Sequence, residues 1–252
     1  MMQTENVQAS FSLKETLSLT WSPLAVKIVE EGAHLENMPS EPARKLRYCQ
    51  LLMEAKKGKS ATLTKENIAC PAAAAALGLL PLPEKIRGGE MLKTLGLFEA
   101  KEAAAVTMAR MPRLEQGKIK AVAAAPLEDA KFVPDVVVIE DKPEKIMWIN
   151  LASIYKTGGR LSFNSAVFQA CCVDVTVIPY LTKNVNVSLG CYGCRDATDI
   201  SDDECLVGIP IEKLEEIITS IKALSQKAMP EARRKGIYNL FIKAQEMPIM
   251  QK

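Results

Sequence analysis

Hydrophobic positions alternate or recur along this chain in ways that predict a mixed set of elements. Phe11 to Leu19 carries Phe11, Leu13, Leu17 and Leu19 among polar residues, a helix that Pro23 ends. Leu24 to Val29 alternates and reads as a strand. From Pro42, Leu46, Cys49, Gln50 and Met53 recur at helical spacing until Gly58. Thr62 to Ile68 is a short element, and Cys70-Pro71 opens an alanine helix closed by Gly78. Glu90 to Met108 is helical with a break at Gly96. Lys118 to Ala125 is a strand, and Asp135 to Ile139 is an apolar run fit for a strand covered on both faces. Pro143 starts a helix through Ile154. Leu161 and Phe163 suggest a short strand, and Val167 to Val177 is a buried helix or a helix running into a strand. Asn184 to Leu189 and Cys205 to Ile209 read as strands. Ile211 to Leu224 is a strongly amphipathic helix, its stripe facing a core or a dimer seam, and Pro230 to Lys243 a basic one. Helices and short strands interleave without a regular βα rhythm, which predicts an α/β or α+β fold: one domain over residues 1–252, a mixed sheet with helices packed on it.

Composition narrows the function. The chain has 252 residues, 48% hydrophobic and 25% charged, values ordinary for a globular protein. Thirty-two Lys and Arg against 30 Asp and Glu leave +2, too balanced for a dedicated nucleic-acid binder. Sparse aromatics offer no base-stacking platform. The N-terminus lacks a basic then apolar leader, and no apolar run reaches the roughly 18 residues of a membrane helix. The expected setting is therefore the cytoplasm, away from membranes, where the seven cysteines are thiols. A single His34 rules out a His-rich metal site.

Those thiols carry the chemistry. Gly190-Cys191-Tyr192-Gly193-Cys194-Arg195 places two sulfurs on one turn, whose backbone N–H groups and neighbouring Arg195 favour thiolate. The flanking glycines allow close approach of something bulky. A tetrahedral zinc or a cubane cluster needs four ligands. Cys70, at a helix start before proline, and Cys49, on a helix after Arg44, Lys45 and Arg47, are the best further candidates. Cys171 and Cys172 lie in an apolar stretch and, being adjacent, are poor co-ligands; Cys205 sits beside Glu204. These three read as core filler, since free Cys packs as a small hydrophobe. The expected metal site is thus Cys49, Cys70, Cys191 and Cys194, with Gly190 and Arg195 beside the cofactor. A redox dithiol is disfavoured because Asp196 to Asp203 does not look like the long helix such a pair opens.

Weaker constellations have plainer explanations. Asp199, Asp202, Asp203 and Glu204 lack calcium-loop spacing and read as a solvated turn. Gly88-Gly89 and Gly158-Gly159 are not phosphate loops. Alternatives to a metal centre are a protein or enzyme binding a small anionic metabolite through Arg47, Arg195, Lys27 and Gly190, and a regulator docking through its basic C-terminal helix.

Several segments in order carry a family likeness. They are Leu24-Ala25-Val26-Lys27, Arg47-Tyr48-Cys49-Gln50 with Ala55 to Gly58, Ile68-Ala69-Cys70-Pro71 with Ala76-Leu77-Gly78-Leu79, Ser188 to Arg195, and Glu204 to Pro210. The chain, from about residue 13 to about 240, resembles domain of unknown function 169, also labelled ArCR, an archaeal and bacterial family. The resemblance implies a cytoplasmic protein of the kind common in anaerobes and methanogens. It also implies that the four cysteine neighbourhoods form one site. An anaerobic setting favours an iron–sulfur centre, [4Fe–4S] before zinc, with a redox or ligand-activating role. From the residues themselves, the expected partner is a small molecule or a redox protein; the oligomeric state stays open, with a homodimer one of the alternatives.

Overall fold

A computed structural model of the protein describes residues 2–166 and 168–233. In chain order the elements are α1 (Met2–Leu17), β1 (Leu24–Glu30), α2 (Tyr48–Lys56), β2 (Ala61–Thr64), α3 (Pro71–Ala76), α4 (Glu84–Arg87), α5 (Glu90–Thr94), α6 (Lys101–Ala109), β3 (Ile119–Pro126), β4 (Val136–Asp141) and α7 (Pro143–Ser153). A π-helix (Ala170–Val177) follows, then α8 (Ile178–Thr182), β5 (Asn186–Ser188), α9 (Tyr192–Ala197), β6 (Cys205–Pro210), α10 (Ile211–Gln226) and α11 (Ala228–Arg233). The six strands form one sheet in the order β2-β3-β1-β4-β6-β5. Every ladder is antiparallel, so the mixed sheet expected from sequence resolves to an antiparallel one and the class to α+β.

Side chains alternate across this sheet, and each face buries its own core. One core packs Leu24, Val26, Ile28, Val122, Val136, Val138 and Leu206 against α2, α3 and the π-helix. The other packs Ala25, Ala125, Val137, Ile139, Val207 and Ile209 against α1, α7 and α10. β4 lies between β1 and β6 and is buried along its whole length, as its apolar run requires. The stripe Leu214, Ile217, Ile221 and Leu224 of α10 is buried within the chain, so it serves the core rather than a dimer seam. No helix among the described residues is long and apolar enough to cross a membrane.

Three local expectations are corrected and one open choice is settled. The helix expected from Pro42 begins only at Tyr48. Leu46 instead bridges Ile68, its N–H donating to the Asn67 carbonyl and its carbonyl accepting from the Ala69 N–H, which holds the backbone extended. The strand expected at Leu161 and Phe163 is irregular chain, with Phe163 exposed. Of the two readings of the apolar run ending at Val177, the buried helix holds: from Ala170 it is a π-helix leading into α8. Asp196 to Asp203 is not loop throughout, since α9 extends to Ala197. The basic helix expected over 230–243 lies largely outside the described residues.

Candidate functional site

Six of the seven cysteines meet on the α2 side of the sheet. A cleft is lined by Cys49, Cys70, Cys171, Cys172, Cys191 and Cys194, with Arg47, Tyr48, Phe168 and Gln169 among its other walls. It encloses about 70 Å³. A water needs roughly 10–15 Å³ of such space, so the cleft has room for a few atoms beside the sulfurs.

Each thiol arrives for a local reason. The Gln50 side-chain oxygen accepts from the Arg47 N–H at the start of α2, which sets Cys49 in the first turn. Cys70 is itself the N-cap of α3, with Pro71 in the first turn and the Ala73 N–H 3.5 Å from its Sγ. Cys191 caps α9 in the same way, the Cys194 N–H lying 3.4 Å from its Sγ. Gly190 precedes it at φ +83°, a left-handed conformation that lets the strand end turn back. Cys171 and Cys172 ride on the π-helix, an uncommon element that recurs at functional sites. Tyr48, fully buried, shares a 2.8 Å hydrogen bond with Thr176, whose hydroxyl donates to the Cys171 carbonyl. That chain ties the start of α2 to the π-helix.

Within the cleft the Cys191 and Cys194 sulfurs are 3.1 Å apart, and Cys194 Sγ is 3.4 Å from Cys171 Sγ. The hydrogen bond with Cys194, and then burial, push the Cys171 and Cys191 thiols up; burial is the main cause for Cys172. The backbone amides of Ala170 and Cys194 oppose this at Cys191. Cys49 and Cys191 act electrostatically on Cys171, as Cys70 does on Cys172. Sulfurs on one tetrahedral zinc sit about 3.8 Å apart, given Zn–S of about 2.3 Å. The close sulfur trio is tighter than that. Among the described residues no group of three or more His, Cys, Asp or Glu is arranged as it stands to hold a metal ion.

All four cysteines expected as ligands line this cleft. Cys171 and Cys172, read from sequence as filler, join them. Their signal was the ambiguous apolar run itself, interrupted by the buried polar residues Asp174 and Thr176. Cys205 does belong to a core, the one on the opposite face of the sheet. Arg195 does not point its charge at the thiols. Its guanidinium donates to the Leu189, Ser201 and Glu204 carbonyls and clamps the Cys191 loop to the start of β6. Arg47 stands at the cleft rim, 3.3 Å from Asp196, while Lys27 pairs with Asp135 at 2.8 Å.

A family model for domain of unknown function 169 (DUF169), described as uncharacterised ArCR, matches residues 12–220. The chain belongs to the DUF169 family. The matched region holds all six cleft cysteines. A relative, the uncharacterised protein MJ0308 of Methanocaldococcus jannaschii, is 29% identical over 216 residues, covering 85% of this chain and 92% of that protein. No solved structure matches the chain. In this DUF169 member the whole lining of the cleft falls within the matched region.

Proposed function

We propose that the cleft is a thiolate-ligated metal centre, most readily an iron–sulfur cluster, with its ligands drawn from Cys49, Cys70, Cys171, Cys172, Cys191 and Cys194. The observation that carries this is the convergence of six cysteines from separate elements on one small space. Two features support it. Cys70 and Cys191 have backbone N–H groups directed at their sulfurs, donors that a metal-bound sulfur would accept. The space suits an inorganic occupant better than an organic one. The thiols pack against each other as they stand, so loading requires them to shed protons and spread around the ion, coupling metal binding to local structure. A bound cluster would supply electron transfer or, at an iron without a protein ligand, ligand activation.

A second reading follows from the 3.1 Å between Cys191 and Cys194: thiol–disulfide exchange. It is the weaker one, because such a nucleophile needs a lowered pKa and here burial and neighbouring thiols act in the other direction.

The test is anaerobic purification with a visible spectrum and with iron, sulfide and zinc analysis. The metal reading expects a coloured protein with stoichiometric iron, or stoichiometric zinc if the site is mononuclear. Cys191→Ser and Cys194→Ser lose the metal; Cys205→Ser keeps it. A folded, colourless, metal-free protein with seven titratable thiols refutes it. Reversible oxidation of Cys191 with Cys194 in that metal-free protein would then favour the second reading.

A further inference from the structure

A second cavity adjoins the thiol cleft. It encloses about 220 Å³ and shares Phe168 and Gln169 with the cleft as a common wall. That volume is roughly threefold larger, enough for a small metabolite. Its other polar walls come from Thr107 and Arg110 at the end of α6, Asn164 of the irregular segment, and Asp174 of the π-helix.

Gln169 is the unusual residue. It lies in the left-handed region at φ +69° and ψ +41°, at the N-cap of the π-helix. A non-glycine residue there costs on the order of 1–2 kcal/mol, and such strain clusters at binding sites. The residue is only 7% exposed, yet its side-chain Nε2 has no hydrogen-bond partner among the described residues. A buried amide N–H without an acceptor is costly, and a bound acceptor would relieve it. Arg110 is the cation in this wall, and no ion pair engages it among the described residues. Asp174 is the one carboxylate. Its Oδ2 already accepts from the Ser165 and Ser188 hydroxyls, at 2.8 and 2.7 Å. The donors that face a ligand thus include a guanidinium and an unpartnered buried amide, with the Asn164 side chain and Asp174 Oδ1 beside them.

We infer that this cavity binds a small carboxylate, held by Arg110 at the mouth and by the Gln169 amide at the wall against the thiols. A guanidinium fork and an N–H donor match a carboxylate's two acceptor oxygens. Placement beside the cleft would set the carboxylate end against the wall shared with the sulfur site. The inference uses the cleft only as a neighbour. It stands or falls apart from the metal reading.

The test is saturation-transfer NMR on the full chain with acetate, propionate and butyrate as probes, each against its neutral amide. The expected result is transfer to the carboxylates well above their amides. Arg110→Gln weakens it by about tenfold or more, the scale of a lost charged hydrogen bond. Gln169→Asn, which keeps a residue tolerant of the left-handed region but shortens the amide, weakens it too. Arg47→Gln, at the rim of the other cavity, leaves it unchanged. Equal signals from acids and amides, or an Arg110→Gln protein that melts like the wild type and binds propionate as well, overturns the inference. So does loss in Arg47→Gln alone. Because the readout involves neither metal nor thiol, its failure is distinct from failure of the metal analysis.

Discussion

Gly208 sits in β6 directly beneath the π-helix that carries Cys171 and Cys172. A Cβ built there would lie 2.2 Å from the Val175 carbonyl oxygen, 2.7 Å from the carbonyl carbon and 2.7 Å from Pro179 Cγ. None of these atoms is the end of a flexible side chain, so Gly208→Ala must move backbone by about 1 Å to reach ordinary contact. Overpacking of this kind costs about 1–3 kcal/mol, and the rigid neighbours argue for the upper end. For a chain of this length that is a fall in Tm of roughly 6–12 °C at 3 kcal/mol. Gly193, inside the Cys191–Cys194 turn, is the contrast. Nothing lies within 4 Å of its added Cβ, and it sits in α9, so Gly193→Ala should be neutral or stabilising by up to about 1 kcal/mol. Urea unfolding read as a midpoint at constant slope compares the two. Gly208→Ala should also speed modification of Cys171 and Cys172 by a neutral thiol reagent, because the helix is lifted from the sheet. A Gly208→Ala protein within about 0.5 kcal/mol of wild type, the scatter of ordinary surface changes, would show that the π-helix is not seated on β6 as described.

Three further outcomes are expected. Tyr48→Phe removes the bond to Thr176 but leaves the Thr176 hydroxyl donating to Cys171, so urea unfolding should show a loss of about 1 kcal/mol. Glu140 is buried 2.6 Å from Lys56, with one carboxyl oxygen unpartnered; burial, against the pull of Lys56 and with help from Glu204, pushes it up to about 7. Its folded pKa thus exceeds its unfolded one. The stability it contributes is present below the ordinary carboxyl range near 4.5 and is lost as pH rises through about 7, with a slope of up to about 1.4 kcal/mol per unit. The difference between wild type and Glu140→Gln in unfolding free energy should carry that slope, and parallel curves would refute it. Cys205→Ala should cost about 1 kcal/mol by leaving a small void in the opposite core, with metal content unchanged by elemental analysis.

Elements whose burial follows one simple period were legible in the sequence. β1 alternates between the two cores, β4 is apolar on both faces because it is central, and α10 shows its stripe. The start of α2 was misplaced because Leu46 has the right period for a helix but spends its backbone on Ile68, a partner no local pattern reveals. In the site, the Cys191–Cys194 turn and the Cys70-Pro71 helix start were visible because capping chemistry is local. Cys171 and Cys172 were not. Two adjacent residues face one cavity here because a π-helix turns through more residues than an α-helix does, and each step therefore rotates less. Nor does a glutamine in the sequence announce a left-handed backbone, since that conformation is imposed by the neighbouring chain.

Sulfur is distributed unevenly across the two faces of the sheet. Free cysteine is a small apolar filler, and both faces of this sheet are equally in need of filler. The α1, α7 and α10 face is filled mainly by Ala, Val, Ile and Leu, with Phe132, Trp148 and Met229 and a single cysteine, Cys205. The other face brings Cys49 on α2, Cys70 at α3, Cys171 and Cys172 on the π-helix, and Cys191 and Cys194 at α9 to one opening in its core. The raised pKa values of Cys171 and Cys172 keep these thiols neutral as they stand, so the asymmetry in number, not the protonation, is what the proposed metal centre accounts for. The loop bearing Cys191 is moreover held by three carbonyl contacts from Arg195, an expenditure of a charged side chain on the position of a turn. A site whose sulfurs are preplaced but mutually crowded is what a thiol-binding cation would both require and relieve.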